Sequence, residues 1–458
     1  MRTMRTSLIR NPVFLIATIV LPLAILVTVA TTQFNWLYGF LIIVAPLLLY
    51  LSLKKPFLFP LGLYTFSIPF ENLLIMSGAK HGATLTRLLG AAAILALPLK
   101  GVFENKIKAP DKLSIWWVLF SVYCILSAFW GISGEMPSVR IMTILGLTSL
   151  YLAVSAYNVS QEEYETVKWF IFAGGLLSSI MTIIAYHQGL MQFGEAERVS
   201  LMSLDDNNGI GGVNKQAFDM LLPLAICIGM LWKKNKMVLK GLFLISSFIM
   251  FFGIVVTGSR GGLFAGLVIM GFFIFYARNR LKSVIVTIIL LLTAFSMTPQ
   301  FFVNRINNSI ASHASGRFDI WHVGLKSLEK YWLFGAGLDC FPYAYTKFVN
   351  YTPVYMGLDR APHNIFIGMF VELGIIGGGL MIAALIMNYL SIGSKKWSNS
   401  MDHITLKAAF AAIITGSLSQ DVVWYKSFWL LWMIIIMYRH ISEEKPLPTK
   451  KMQPRVQL

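Results

Sequence analysis

The chain has 458 residues, of which 56% are hydrophobic and 13% are charged. Soluble proteins average about 45–50% apolar and about 25% charged residues, so this composition excludes a large water-soluble domain, a disordered chain and a coiled coil. The net charge of +17 does not require a nucleic-acid partner, because membrane proteins collect Lys and Arg in their cytoplasmic loops. We therefore expect a polytopic protein whose surroundings are the lipid bilayer, with no nucleic acid bound.

Apolar runs of transmembrane length follow one another along the chain. A helix needs about 20 apolar residues to cross the hydrocarbon core of a bilayer, which is about 30 Å thick. The runs lie near residues 12–32, 35–53, 57–77, 83–99, 113–130, 138–157, 166–187, 214–232, 237–257, 261–277, 283–298, 362–390, 404–420 and 426–438. They predict an all-α fold, a helical bundle of about 12 to 14 transmembrane helices with one large loop that contains helices.

The lengths of the linkers divide the chain into five parts. These are N-terminal helices (1–187), central helices that open with a first long loop (188–298, loop 188–213), a large loop (299–361), C-terminal helices (362–442) and a disordered tail (443–458). Long loops without structure are uncommon in compact proteins and are often functional. Apolar residues recur at helical spacing in the large loop, which predicts an amphipathic helix over 316–330 on the membrane surface.

The basic residues predict the orientation of the bundle. With the N-terminus in the cytoplasm, alternate linkers carry 25 of the 38 Lys and Arg residues. Eight of the other 13 lie in the two long loops, where the positive-inside rule has little authority. We therefore expect both termini and the tail in the cytoplasm and the large loop on the outer face.

Arg260 lies in a polar, glycine-rich turn, Thr-Gly-Ser-Arg-Gly-Gly at 257–262, between two apolar runs. One interpretation is a tight turn whose arginine reaches out to lipid headgroups. The other is a phosphate site, because glycines on both sides expose backbone N–H groups beside a guanidinium. Arg317 opens the loop helix, where its charge opposes the helix dipole. It either pairs with Asp319 or serves a ligand.

His363 and Asn364 follow Pro362 immediately before a long apolar span. A histidine at such an interface either caps a helix end through hydrogen bonds or acts as a general base. The second role is chemically suitable because the ordinary pKa of histidine favours proton transfer near neutral pH. Glu372 and Asp219 interrupt apolar runs, and carboxylates within membranes are costly unless paired or functional. We expect Glu372 to pair with an arginine on the outer side.

Some motifs are missing from the sequence. It has no GxxxxGK[ST] phosphate loop, no HExxH, no GxSxG and no Asp/His cluster for a metal, which argues against an ATPase, a metalloprotease or a serine hydrolase. We expect neither a cofactor nor a metal site. Four glycines, Gly374, Gly377, Gly378 and Gly379, are predicted to form a face for helix packing.

Taken in order, these motifs resemble the O-antigen ligase and polymerase superfamily of bacterial envelope glycan assembly. The resemblance spans about 195–390 and rests on Ser259-Arg260-Gly261-Gly262, on Gly316-Arg317-Phe318-Asp319-Ile320-Trp321, on Tyr331 through Leu338, on His363-Asn364 and on Glu372-Leu373-Gly374. It implies a metal-independent, inverting glycosyltransferase of the C-type membrane class in the bacterial inner membrane. Such an enzyme moves a glycan from undecaprenyl diphosphate to an acceptor hydroxyl at the periplasmic face.

The resemblance also implies roles for residues. The two functional arginines of the family fall on Arg260 and Arg317, as catalytic and substrate-binding residues, and its histidine falls on His363. We add Asn364 and Arg198 to the substrate-binding set. Ten residues separate Arg198 from Gly209, a spacing that resembles an arginine-glycine motif of some polymerases.

Three functions stay open at this point. A polymerase joins the glycan to a second lipid-linked repeat, and it is our first expectation because such polymerases are diverse and numerous. A ligase uses the same donor and joins the glycan to lipid A core. From a different class, a flippase for lipid-linked oligosaccharides or another transporter would show internal repeats and short loops, and the large loop argues against it; a structural membrane scaffold is a weaker alternative. A chain-length regulator protein is a further expected partner.

Overall fold

A computed structural model gives the fold for part of the chain. It describes residues 46–48, 50–74, 84–189, 192–193, 198–201, 212–233, 236–277, 279–297, 316–352, 354–392 and 400–444. The predicted span at 12–32, most of the one at 35–53, most of the first long loop, residues 299–315 of the large loop and residues 445–458 of the tail lie outside the described residues.

Helices account for most of the described chain. They are α1 (Leu61–Ser67), α2 (Leu85–Phe103), α3 (Ser114–Ser127), α4 (Ser138–Ser155), α5 (Gln161–His187), α6 (Gly212–Asp219), α7 (Leu221–Lys233), α8 (Met237–Val256), α9 (Arg260–Tyr276), α10 (Arg280–Met297), α11 (Arg317–Tyr331), α12 (Phe341–Phe348), α13 (Ile365–Ile392), α14 (Met401–Ser417) and α15 (Lys426–Glu444). Two-residue strands β1 (Gln192–Phe193) and β2 (Arg198–Val199) pair antiparallel. The predicted all-α class is confirmed.

Within the described residues, six helices are long and apolar enough to cross a membrane. They are α2, α4, α5, the run of α6 and α7, α8 and α13. Shorter apolar helices are Leu61–Phe70, Ser114–Trp130 and Arg260–Tyr276. These helices define a multi-pass membrane protein, whereas the number of 12 to 14 spans stays a prediction.

The ion pairs of the bundle gather at its two ends. At one end, Lys168 Nζ on α5 lies 2.7 Å from Asp402 Oδ1 on α14. At the other, Arg140 Nε on α4 lies 3.0 Å from Asp339 Oδ1. We call this second end, which carries residues 316–364, the loop end. Basic residues therefore take part in ion pairs at both ends, and the predicted orientation of the bundle stays a prediction.

α15 lies in the centre of the bundle. It packs against α4, α5, α13 and α14, and its side chains from 428 to 438 are all buried. Trp117 of α3 contacts the rings of Phe428, Trp429 and Trp432, with ring centroids 5.2–5.9 Å apart. Such aromatic pairs add to the burial of apolar area. This helix extends to Glu444, so the first two residues of the predicted disordered tail are helical.

The helix predicted in the large loop is present, at Arg317–Tyr331. Its position differs from the predicted one, because its buried face, with Ile320 and Val323, packs against α12 and α13 rather than on the membrane alone. An apolar stripe at helical spacing suits a lipid surface and a protein surface equally well. Periodicity alone therefore cannot distinguish a helix on the membrane from a helix packed on other helices.

Candidate active site

The segment 332–337 lies against α13 at a point where that helix is interrupted. Gly374 is non-helical, with φ 64° and ψ −167°. Three backbone hydrogen bonds join the two segments, from Ala336 N–H to Val371 O (2.8 Å), from Gly337 N–H to Glu372 O (2.8 Å) and from Ile375 N–H to Trp332 O (2.7 Å). The motif at 331–338 and the motif Glu372-Leu373-Gly374, forty residues apart in sequence, therefore form one structural unit.

Glycines make this close approach possible. Gly335 and Gly374 both have positive φ, and a Cβ on Gly374 would overlap the backbone carbonyl of Leu333. The predicted role of Gly374 in helix packing is wrong, because this residue ends one helical segment and starts the next. Gly377 does have a packing role, since a Cβ there would lie 2.7 Å from the ring of Tyr123 on α3.

The carboxylate of Glu372 binds the backbone of the loop. It accepts hydrogen bonds from the N–H groups of Asp339 (3.1 Å) and Phe341 (3.3 Å), at the start of α12. The ion pair of Arg140 is with Asp339. The predicted arginine partner of Glu372 is therefore wrong, because backbone amides at a helix start supply the hydrogen bonds that a buried carboxylate needs.

A small apolar core holds α11, α12 and the start of α13 together. Val323, Phe341 and Tyr345 are fully buried in it, with Ile320 and Tyr331 at its edge. This core and the backbone hydrogen bonds at Gly374 fix the loop helices to the membrane bundle. We call residues 316–364 the loop unit.

His363 lies where the loop unit enters α13. Its φ is +47°, an uncommon conformation for a residue other than glycine that asparagine, aspartate and histidine adopt more often than others. The preceding carbonyl, of Pro362, accepts a hydrogen bond from Trp321 Nε1 of α11 (2.9 Å). Asn364 Oδ1 accepts from the N–H groups of Phe366 (2.9 Å) and Ile367 (3.2 Å). The helix cap is thus Asn364 rather than His363.

Two arginines lie near the imidazole of His363. Partial removal of its ring from water, together with the charges of Arg317 and Arg360, lowers the pKa of His363 to about 4. Part of the side chain stays exposed. The imidazole is therefore neutral near pH 7, the form in which it can accept a proton.

The sequence did not indicate Arg360. Its Nε donates to the carbonyl of Met356, and the Met356 side chain lies against Gly316, the residue before Arg317. Thr346 and Asp359 exchange two hydrogen bonds of 3.0 Å that attach this turn to α12. The two ends of the loop unit therefore meet, and an exposed arginine in a long loop gives no sequence signal of that meeting.

Arg260 is the first residue of α9, at the loop end. Ser259 Oγ caps the helix by accepting from Gly262 N–H (3.3 Å). A Cβ on Gly262 would lie 2.5 Å from the Ala217 side chain on α6, and one on Gly261 would overlap Ser419. The glycines beside Arg260 therefore serve close helix packing, and the contact of Arg260 with phosphate stays a prediction.

The remaining predicted residues have less structural support. Arg198 lies in β2, opposite Phe193, and its side chain lies outside the described residues. Asn364 is buried and caps α13, so its contact with substrate stays a prediction. Asp219 pairs with Lys215 (2.6 Å). No group of three His, Cys, Asp or Glu residues that could hold a metal occurs among the described residues.

The fold and the site together define a multi-pass helical membrane protein with, at one end of its bundle, a histidine that feels the charges of two arginines. Residues 245–382 match the family model described as O-antigen ligase, which supports a likeness of this segment to the O-antigen ligase/polymerase superfamily. The match includes Arg260, Arg317, Arg360 and His363, and it supports a glycosyltransferase-like enzyme with O-antigen ligase or polymerase activity in general. No curated protein matches the chain.

Proposed function

We propose that the protein is an inner-membrane glycosyltransferase that moves a glycan from undecaprenyl diphosphate to an acceptor hydroxyl at the periplasmic face. The observation that carries this proposal is the neutral His363 beside Arg317 and Arg360, at the end of a membrane bundle and inside the matched segment. A base next to two cations suits a reaction that deprotonates a hydroxyl and releases a diphosphate.

The proposed step uses groups of this chain alone. The acceptor hydroxyl gives its proton to an imidazole nitrogen of His363 while its oxygen bonds to the anomeric carbon of the glycan. The bond from that carbon to the diphosphate oxygen breaks, and its electron pair stays on the diphosphate. Attack opposite the leaving group inverts the anomeric centre. No metal is needed if arginines neutralise the negative charge of the leaving diphosphate.

Arg317 and Arg260 are the proposed partners of the leaving diphosphate. A guanidinium engages two oxygens of one phosphate at once, and the planar fork suits charge that builds up as the bond breaks. Arg317 is supported by its place beside His363. Arg260 is supported by the family match and by its position at the loop end, at the start of α9.

Binding of the donor should also strengthen the base. The charges of Arg317 and Arg360 lower the pKa of His363 in the empty site. A bound diphosphate offsets those charges, so the pKa of His363 should rise in the complex. A stronger base is then present when both substrates are.

We propose the polymerase before the ligase, and one experiment separates them. The purified protein is given undecaprenyl-diphosphate-linked repeats, with and without lipid A core, and the products are resolved by size. Longer lipid-linked chains without core indicate a polymerase, whereas product that forms only with core indicates a ligase. Transport of unchanged donor across the vesicle membrane, with no new glycosidic bond, would contradict both and indicate a flippase.

A further inference from the structure

Two aromatic side chains follow Arg317 on α11, and the reaction proposed above does not use them. Phe318 is 61% exposed and Trp321 is half-buried. Their rings meet edge to face, with centroids 5.5 Å apart and an interplanar angle of 89°. Trp321 lies at the edge of the apolar core of the loop unit, whereas Phe318 lies outside it. Packing therefore gives no reason for an aromatic residue at position 318.

The two rings lie beside the proposed base. Trp321 Nε1 donates to the carbonyl of Pro362 across 2.9 Å, and His363 is the next residue. This hydrogen bond holds the indole close to the point where the chain turns into α13. Arg317 lies four residues before Trp321, so both side chains project from the same side of the helix. The rings therefore border the site that contains Arg317 and His363.

The exposed side of α11 is both apolar and polar. His322, one turn after Phe318, is exposed, and so is Leu325, at 55%. Glu329 follows about three turns after Phe318 on the same line of the helix, with its side chain 64% exposed. A carboxylate on this side would be costly in hydrocarbon, so the mixture indicates contact with an aqueous ligand rather than with lipid. We call Phe318, Trp321, His322 and Leu325 the aromatic face.

Sugars match such a surface. A pyranose ring has apolar C–H faces and a rim of hydroxyl groups. The π-system of an aromatic ring carries negative charge on its face, which attracts the C–H hydrogens of a sugar that stacks on it. Imidazole nitrogens, such as those of His322, can exchange hydrogen bonds with the rim. The chemistry of the aromatic face therefore fits a sugar better than a purely apolar partner.

Resting on the function proposed above, we propose that the aromatic face binds the terminal sugar of the acceptor glycan and that Phe318 determines its affinity. The acceptor has to bring a hydroxyl group to His363, and Trp321 is bonded to the residue before it. A sugar stacked on Phe318 and Trp321 is held next to the base, while the diphosphate of the donor keeps its proposed place at the arginines.

Two phenylalanines of the loop unit provide a matched test. Phe318 is 61% exposed and Phe334 is 55% exposed, and Phe334 contacts Trp130 beyond the other end of α11. Leucine at either position keeps an apolar side chain without the ring, and it is a strong helix former. Phe318→Tyr keeps the ring. The probe is the free repeat oligosaccharide, released by mild acid from the lipid-linked glycan of the native cells, and its binding to the detergent-purified protein is measured by saturation-transfer NMR.

Phe318→Leu should raise the Kd of the oligosaccharide about three- to tenfold, which is the size of one aromatic contact. Phe318→Tyr and Phe334→Leu should bind as the wild type does. In the wild type, saturation should pass most strongly to the ring C–H hydrogens of the terminal sugar. Wild-type affinity of Phe318→Leu, an equal loss in Phe334→Leu, or no binding by the wild type would overturn the proposal.

A lipid contact is the alternative for an exposed aromatic residue in a membrane protein. Phe318→Cys is labelled with a nitroxide in liposomes, since the native cysteines are buried. The label should collide with a water-soluble nickel complex more than with oxygen, which concentrates in hydrocarbon. A preference for oxygen would place Phe318 in the lipid and overturn the proposal.

The same variants separate this proposal from the proposed function. If the oligosaccharide binds through Phe318 but the wild type forms no glycosidic bond, the aromatic face stands and the proposed transferase is wrong. If the wild type transfers glycan and Phe318→Leu binds and transfers equally well, the aromatic face is wrong and the transferase stands.

Discussion

The amide of Gly337 donates to the carbonyl oxygen of Glu372 across 2.8 Å, joining the segment after α11 to the interruption of α13. The side chain of Glu372 simultaneously accepts from amides at the start of α12. The backbone carbonyl and the side chain of Glu372 thus bind two different parts of the loop unit, the segment after α11 and the start of α12. The position of His363, nine residues earlier and just before the start of α13, depends on this arrangement.

Gly374→Ala should destabilise the protein by at least about 1–3 kcal/mol, the cost of one residue held in a backbone conformation that side chains disfavour. Overlap of the new Cβ with the Leu333 carbonyl adds to that cost. Gly379→Ala is the control in the same helix, because a Cβ there meets no atom within 4 Å. Thermal unfolding in detergent compares them, and equal melting temperatures would show that the interruption at Gly374 is not constrained.

His363→Ala should lower turnover by about 10²- to 10⁴-fold, the usual contribution of a general base, and leave donor affinity near that of the wild type. Asn364→Ala removes the cap of α13 and should cost about 0.5–2 kcal/mol of stability with a smaller loss of turnover. Turnover and melting temperature are measured for both variants. A loss of stability in His363→Ala as large as in Asn364→Ala would give the histidine a structural role.

Arg317→Lys and Arg260→Lys should each lose most of the turnover at saturating donor, because lysine keeps the charge but not the fork that holds two phosphate oxygens. The loss should appear in kcat more than in donor affinity, since charge on the diphosphate builds up in the transition state. Asp319→Asn tests the alternative in which Arg317 serves an ion pair. Damage by Asp319→Asn equal to that by Arg317→Lys, or full activity of both lysine variants, would contradict diphosphate binding.

The pH dependence of kcat/KM should follow the free His363. Because the pKa of His363 is lowered to about 4 and the neutral form is the base, kcat/KM should be constant from neutral pH to about pH 5 and fall below about pH 4. Arg360→Gln removes a positive charge, which raises this pKa and moves the acid limb to higher pH. Lys347→Gln, which removes a charge from the exposed side of α12, is the control, and an unmoved limb in Arg360→Gln would disprove the electrostatic coupling.

Cysteine labelling should place the loop unit outside the cytoplasm. Tyr355, in the loop unit, is 66% exposed, and Lys236, at the opposite end of the bundle, is exposed as well. The native cysteines are buried. Tyr355→Cys should react with a membrane-impermeant maleimide in cells whose outer membrane alone is permeabilised, and Lys236→Cys only after the inner membrane is opened. The reverse pattern would invert the topology.

The sequence carries enough to predict the helical membrane class and the helix in the large loop. These features depend on composition and periodicity, whereas the roles of Arg317 and His363 follow from the family resemblance and stay predictions. The partners of Glu372 could not be predicted, because they are backbone amides more than thirty residues away and leave no side-chain pattern. Arg360 was missed for a related reason, since its neighbour Met356 and the start of α11 meet only in three dimensions.

The interruption at Gly374 has a consequence for the order of assembly in the membrane. Hydrocarbon offers no water to unpaired backbone groups, so an interrupted helix needs partners from the protein itself. The amides and carbonyl that complete α13 belong to residues 332–337, which leave the ribosome about forty residues earlier. Integration of α13 into the membrane is therefore coupled to docking of residues 332–337, which have been synthesised before it. The loop unit with His363 is then positioned in the same step that completes the membrane span.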